Sequence, residues 1–167
     1  MAKKLLDLGG LSFMIVDDNV NMRAICKQFI RSFGARDIHE ASDGEEALKL
    51  LSNTAIDILI TDWEMRPMDG IELADTIRNN EDSPNQFMPI IMMTAYSSMT
   101  NVQKARDTGI NEYLCKPVSA LSLYKRIEEV ITRPRQFVKA ANYFGPDRQR
   151  RVDESYEDPE KNRRSSK

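Results

Sequence analysis

The sequence predicts a doubly wound α/β domain built on a parallel sheet, and three observations lead there. Short apolar runs alternate with amphipathic stretches along residues 11 to 132. The runs are apolar at consecutive rather than alternate positions, which suits strands covered by helices on both faces. They also close on polar residues, Asp17-Asp18, Thr61-Asp62, Thr94 and Lys116, at the strand ends where open α/β sheets bind their ligands.

Leu11 to Val16 is expected as the first strand, and Asn21 to Phe33 as a helix with Met22, Ile25, Phe29 and Phe33 on one face. Gly34 supplies a helix stop, Ile38 to Ala41 is a second strand, and Asp43-Gly44-Glu45-Glu46 opens a helix carrying Ala47, Leu48, Leu50 and Leu51. Ile56 to Thr61 is a run rich in β-branched residues, followed by a helix over Ile71 to Arg78 and by the run Ile90 to Thr94 behind Pro89. Thr100 to Thr108 is amphipathic at helical spacing, and Glu112 to Cys115 makes a short strand. Ser119 to Ile131 is the last helix, with Leu121, Leu123, Ile127, Val130 and Ile131. The body therefore reads as five strands and five helices.

With 167 residues, 41% apolar and 30% charged, the chain is expected to form one compact domain with a modest appendage rather than a multidomain enzyme. No apolar run approaches the roughly 20 residues that span a bilayer, and the charged start Met1-Ala2-Lys3-Lys4 lacks the pattern of a secretory leader. A cytoplasmic location without membrane attachment is expected. Cys26 and Cys115 stand in apolar runs and are expected as buried structural thiols. Charge divides the chain: residues 133 to 167 hold ten Lys and Arg against six Asp and Glu, a net +4, which leaves −6 on residues 1 to 132 of the formal −2. An N-terminal segment 1–10, a domain 11–132 and a basic, partly disordered extension 133–167 follow.

If the polar strand ends are neighbours, three carboxylates, a hydroxyl and one ammonium meet on one rim. Like charges about 4 Å apart repel by roughly 4 kcal/mol at an effective dielectric of 20, and one lysine does not neutralise three carboxylates. A hard divalent cation bound through oxygens does, and magnesium suits a few carboxylates with positions left for water or phosphate. Thr94 and Lys116 are donors for phosphoryl oxygens opposite such a metal. The rim thus reads as a carboxylate that accepts a phosphoryl group.

Five fragments then form a recognisable pattern: Met14-Ile15-Val16-Asp17-Asp18, Ile60-Thr61-Asp62-Trp63-Glu64-Met65, Met68-Asp69-Gly70, Met93-Thr94-Ala95 and Tyr113-Leu114-Cys115-Lys116-Pro117. With them, residues 11 to 132 resemble the receiver domain of bacterial two-component response regulators, the stand-alone chemotaxis type in particular. The resemblance implies a flavodoxin-like sheet of order 2-1-3-4-5, an order that belongs to the family and is not read from these residues. It implies Asp62 as phosphoacceptor, Asp17 and Asp18 as metal carboxylates beside it, and the backbone carbonyl of Glu64 as a further magnesium ligand. Thr94 and Lys116 would bind the phosphoryl group, Tyr113 would be the aromatic that moves with Thr94, and Glu64 and Tyr96 would flank the attacking water and set phosphoryl lifetime. A cis Lys116-Pro117 bond is implied as well. One departure is visible, since Arg66 intervenes before Pro67 where the family places its proline directly after the Met.

On this reading the chain is not an enzyme beyond its own phosphorylation and dephosphorylation. Phosphate comes from a histidine kinase or histidine phosphotransfer protein in a two-component phosphorelay, and a protein target docks on the face of the fourth helix, fifth strand and fifth helix. Two alternatives stand beside it. A haloacid-dehalogenase-type phosphatase also forms aspartyl-phosphate, but it carries Asp two residues after the nucleophile where this chain has Glu64; a pseudo-receiver would not be expected to keep Asp17, Asp18, Asp62, Thr94 and Lys116 together. Plainer roles compete at single positions: Asp17-Asp18 as a helix cap, Thr94 as an ordinary strand residue, Tyr113 as a core aromatic, Lys116 as a solvated loop lysine. His39 is expected as a strand surface residue.

The extension has its apolar residues early, at Phe137, Val138, Tyr143 and Phe144, and its charge late, from Asp147-Arg148-Gln149-Arg150-Arg151 onward. Residues 134 to 144 are expected to pack on the domain or a partner, and residues from about 152 to be mobile. A nucleic-acid role is not expected, because the acidic body repels phosphate and the arginines lack interleaved aromatics.

Overall fold

The computed structural model describes residues 4–95 and 98–148. Five strands, β1 (Ser12–Val16), β2 (Asp37–Ala41), β3 (Ile58–Asp62), β4 (Ile90–Thr94) and β5 (Glu112–Cys115), pair in parallel in the order β2-β1-β3-β4-β5, as expected. They alternate with α1 (Val20–Ser32), α2 (Gly44–Leu51), α3 (Gly70–Asn79), α4 (Met99–Asp107) and α5 (Ala120–Thr132).

Two cores flank the sheet. Met14, Val16, Leu59, Met92 and Ile90 point to the side covered by α2, α3 and α4, against Ala47, Leu51, Leu73, Ile77 and Ala105. Phe13, Ile15, Ile58, Ile60, Ile91 and Met93 point to the other, against Cys26 and Ile30 of α1 and Leu123, Ile127 and Val130 of α5. Strand residues of opposite parity thus serve opposite layers, the reason for their unbroken apolarity. Leu8 joins the second core and is fully buried.

The helix faces differ in detail from the sequence reading. Ile25 is 41% exposed and Leu121 is 62% exposed. On α1 the buried positions are Cys26 and Ile30, one step round from Ile25, because the stripe 22, 26, 29, 30 and 33 keeps helical spacing and position 25 falls outside it. Cys26 is buried as expected, but Cys115 is exposed. It ends the edge strand β5, whose inward positions are Glu112 and Leu114, so its alternate parity puts it on the face opposite Leu114 and α5. His39 lies on β2 with its Nε2 2.8 Å from Asp37 Oδ1, a surface position as expected.

The extension forms a further element that the sequence reading did not resolve. β6 (Phe137–Ala140) and β7 (Tyr143–Pro146) pair as an antiparallel hairpin, and Tyr143, Gly145 and Pro146 are buried against the domain. The expectation that residues 134 to 144 pack partly on the domain holds at Tyr143, while Val138 to Ala140 of β6 stay exposed. The expected mobility from about residue 152, and Arg150 and Arg151, lie outside the described residues.

Candidate functional site

Parallel register sets the rim. Val16 lies beside Thr61, and Asp62 beside Met93, so the residues that follow β1, end β3 and end β4 arrive at one edge. Each turn leaving the rim is tied to it through the backbone: Trp63 N donates to Met93 O at 3.0 Å, and Lys116 N donates to Thr94 O at 2.8 Å. The α1 N-terminus is capped by Asn19, whose side chain accepts from Asn21 N and Met22 N. The Asp17-Asp18 pair is therefore not the cap, and the cap reading fails for it.

Carboxylate oxygens of Asp17, Asp18 and Asp62 lie within 4.8 Å of one another. Asp17 is completely buried and Asp62 is 6% exposed, while Asp18 faces solvent. Asp62 Oδ1 accepts from Trp63 N at 2.9 Å and from Lys116 Nζ at 3.0 Å. Asp17 Oδ1 accepts from Asn19 N at 2.9 Å, but its Oδ2 has no hydrogen bond, its nearest cation being Lys116 Nζ at 3.6 Å. Arg23 is close and committed elsewhere, with Nη1 donating to the backbone oxygen of Asp17 at 2.6 Å and Nε 3.6 Å from Glu40.

The protonation equilibria follow from this geometry. Burial pushes the Asp62 carboxyl up to about 6 against the opposing pull of Lys116, with Asp17 adding a like charge. Asp17 is raised for the same first reason. For Lys116 burial works against the charged form, yet its hydrogen bond to Asp62 and its attraction to Asp62 and Asp17 prevail and raise it. The pocket thus holds more negative charge than Lys116 compensates, with a buried oxygen left over. A divalent cation fits that deficit. Among the described residues this is the cluster of acidic groups able to hold a metal ion.

Thr94, at 1% exposure, closes β4 next to Tyr113 of neighbouring β5, where burial raises the Tyr113 pKa against the opposing influence of the Thr94 hydroxyl. The two expected switch residues therefore lie on adjacent strands, β4 and β5. Glu64 is exposed, one residue beyond buried Trp63, and Tyr96 lies outside the described residues. Both Lys116-Pro117 and Arg66-Pro67 are cis; the first was expected, the second was not.

Gly70 is a site residue that the sequence reading quoted without assigning it a task. Its N–H donates to Trp63 O at 2.8 Å, and a Cβ there would stand 2.1 Å from the Asp62 backbone oxygen. Only glycine lets the β3–α3 loop close on the acceptor. The signal was present in Asp69-Gly70, an N-cap followed by a residue without Cβ.

Comparison with known proteins agrees with this arrangement. Residues 13–128 match the family described as the response regulator receiver domain. The chain is 34% identical over 123 residues to the chemotaxis protein CheY-3 of Vibrio cholerae, covering 74% of this chain and 93% of that one. It is 36% identical to CheY of Pseudomonas aeruginosa over the same share of this chain and 98% of the relative. Among solved structures, Vibrio cholerae CheY4 superposes with a TM-score of 0.66 at 28% identity, covering 72% of this chain and 98% of that one. The receiver domain of the Pseudomonas aeruginosa sensor histidine kinase PA1611, a structure with magnesium coordinated in the active site cleft, gives 0.65 at 25% identity, covering 74% and 98%.

Proposed function

We propose, because the chain belongs to the response regulator receiver domain family, that it is a stand-alone receiver accepting a phosphoryl group on Asp62 from a histidine kinase or histidine phosphotransfer protein. Receiver domains are signalling modules and not classical enzymes, and they work between such donors and downstream targets. The observation that carries the reading is the Asp62 carboxylate, buried at the rim within 4.8 Å of Asp17 and Asp18 and 3.0 Å from Lys116. We take residues 11–132 as the receiver unit and 133–167 as its extension.

In the transfer, a carboxylate oxygen of Asp62 attacks the phosphorus of a phosphohistidine, the P–N bond breaks, and the imidazole leaves. Asp17, Asp18 and Asp62, with the Glu64 backbone carbonyl, would hold a magnesium ion, which when bound supplies positive charge against the carboxylates and the phosphoryl oxygens. Lys116 stays on the acceptor side and holds a phosphoryl oxygen. Glu64 and Tyr96, by the family resemblance, set the lifetime of the adduct toward water.

Signalling follows from a difference in contacts. The Thr94 hydroxyl, next to Tyr113 across β4 and β5, gains a charge-assisted bond when an anionic phosphoryl oxygen arrives. Leaving Tyr113 for that oxygen frees the ring and alters the α4–β5–α5 face, where the target docks. Intact-mass measurement with acetyl phosphate and magnesium tests the acceptor: one phosphoryl adduct is expected on the wild type and none on Asp62→Asn, and an adduct persisting on that variant would refute the assignment. Thr94→Ala should form the adduct and fail to change target affinity.

A further inference from the structure

Helix α4 is held to the domain differently from its neighbours. On α3 the side chains of Leu73, Ala74, Ile77 and Arg78 are buried, and on α5 those of Leu123, Ile127 and Val130, but on α4 only Ala105 is. Core burial alone leaves α4 weakly fixed. At its middle, Lys104 Nζ lies 5.9 Å from the ring centre of Trp63, the residue after the acceptor. Its far end is gripped by the β6–β7 hairpin.

That grip is built from backbone. Gly109, at φ +92°, ends the helix turn, and a Cβ on it would stand 3.0 Å from Phe144 O; a Cβ on Gly145 would meet Gly109 Cα at 2.8 Å. Two glycines thus let the hairpin lie directly on the turn after α4. Arg148 reinforces the joint, with Nη1 3.0 Å from Asp107 Oδ1 and its guanidinium 4.0 Å from the Tyr143 ring centre. Beneath, the buried Arg78 donates from Nε to Gly109 O at 2.9 Å and lies 4.9 Å from the ring centre of Phe137. One guanidinium therefore ties the α4–β5 turn and the hairpin to α3.

We infer that the β6–β7 hairpin is a strap that sets the position of α4, so that the freedom of α4 at the acidic rim and the docking of the hairpin at the opposite end of the sheet are one equilibrium. Releasing the hairpin from Gly109 and Asp107 frees α4. Linkage is reciprocal: an occupant of the rim that displaces α4 also loosens the hairpin. The strap itself needs no ligand; its coupling to an occupant rests on the reading of Asp62 as acceptor.

Amide hydrogen exchange on the full chain separates the two. An isolated two-stranded hairpin is marginal in water, so its amides report docking. Gly145→Val forces β7 off Gly109 and should speed exchange of the α4 amides by about fivefold or more while β1 and β3 keep their protection. Unchanged α4 exchange with an undocked hairpin would overturn the strap. Should Gly145→Val also loosen the core strands, the exposed pair decides: Arg148→Glu should accelerate α4 and hairpin exchange and Asp107→Arg should restore it, and absence of both effects overturns the proposal. In the wild type, beryllium fluoride with magnesium should accelerate exchange at 137–146. Binding seen by Trp63 fluorescence without that acceleration overturns the coupling, whereas no binding at all counts against Asp62 as acceptor and leaves the α4 arm to decide the strap.

Discussion

At the carboxyl end of the sheet, Asp17 and Asp62 are buried with one lysine reaching their oxygens and with Asp17 Oδ2 lacking a hydrogen bond. At the amino end, Arg78 is buried as deeply, but each of its nitrogens is committed: Nε to Gly109 O, Nη1 to Gln86 O at 2.7 Å and Nη2 to Asn111 Oδ1 at 2.9 Å, with Phe137 stacked on it. Burial lowers the Arg78 pKa to about 10, which leaves it charged at neutral pH. A buried charge fully satisfied by neutral acceptors is a structural bolt; one left under-compensated is a site waiting for a ligand. The two ends should respond oppositely when the charge is removed.

The largest expected effect is at Asp62. Asp62→Asn should abolish phosphoryl acceptance and yet leave the metal-free fold as stable or more so, since it removes a like charge from a crowded pocket. Its pH dependence carries a sign. The folded carboxyl, at about 6, binds a proton in the interval above the ordinary carboxylate value where the unfolded chain has lost it, so stability in metal-free buffer should fall as pH rises through that interval. Asp62→Asn should flatten this slope in urea titrations at pH 4 to 7. A variant that is markedly less stable at neutral pH would put the rim in the same class as Arg78.

The rim was legible because chemistry concentrates there: carboxylates, a hydroxyl and a lysine each close an apolar run, and parity along the strands accounts for the runs themselves. Arg78 was not. It ends the stretch Ile71 to Arg78 and reads as a basic residue near a helix C-terminus, where the macrodipole favours one at the surface; its burial depends on the hairpin and on Asn111, both remote in sequence. The hairpin was read only as apolar surface seeking cover, because Pro146 inside a short run argues against a strand except at an edge, and β7 is such an edge. Cys115 shows the same gap, because its exposure follows from its place at the end of an edge strand and its parity opposite Leu114, neither of which its own run displays.

The second effect is at that bolt. Arg78→Met keeps an apolar stem beside Gly109 but removes the donor to Gly109 O and to Gln86 O and one of the two donors to Asn111 Oδ1, which keeps Ile90 N. At about 1 kcal/mol for each buried bond lost, some 3 kcal/mol of stability should go, read as a lower urea midpoint. A loss below about 0.5 kcal/mol would place Arg78 with ordinary surface positions and break the comparison.

A third test removes charge at the rim without removing the acceptor. Asp17→Asn keeps an oxygen to accept from Asn19 N, so the turn into α1 should stand and the fold should lose no more than about 1 kcal/mol. Magnesium affinity should fall by about tenfold or more, because a buried formal charge beside the ion is lost. Trp63 fluorescence titration reads the change. Equal affinity in wild type and variant would mean that the orphaned Oδ2 is not a metal ligand.

The smallest effect asks how far the charge balance of the rim extends. Lys104 of α4 is exposed and its ammonium stands over the Trp63 ring at 5.9 Å, a contact worth about 0.5 to 1 kcal/mol at an exposed site. Lys104→Met should shift the baseline emission of Trp63, since the cation over the indole is gone, and should lower stability by no more than that amount. Magnesium affinity should stay within about twofold of the wild type, because solvent screens an exposed ammonium while Lys116 holds its contact inside the pocket. If Lys104→Met instead moved magnesium affinity as far as Lys116→Met does, α4 would share in neutralising Asp17 and Asp62, and the deficit of positive charge that sets the rim apart from the Arg78 end would be smaller than the contacts of Lys116 alone imply.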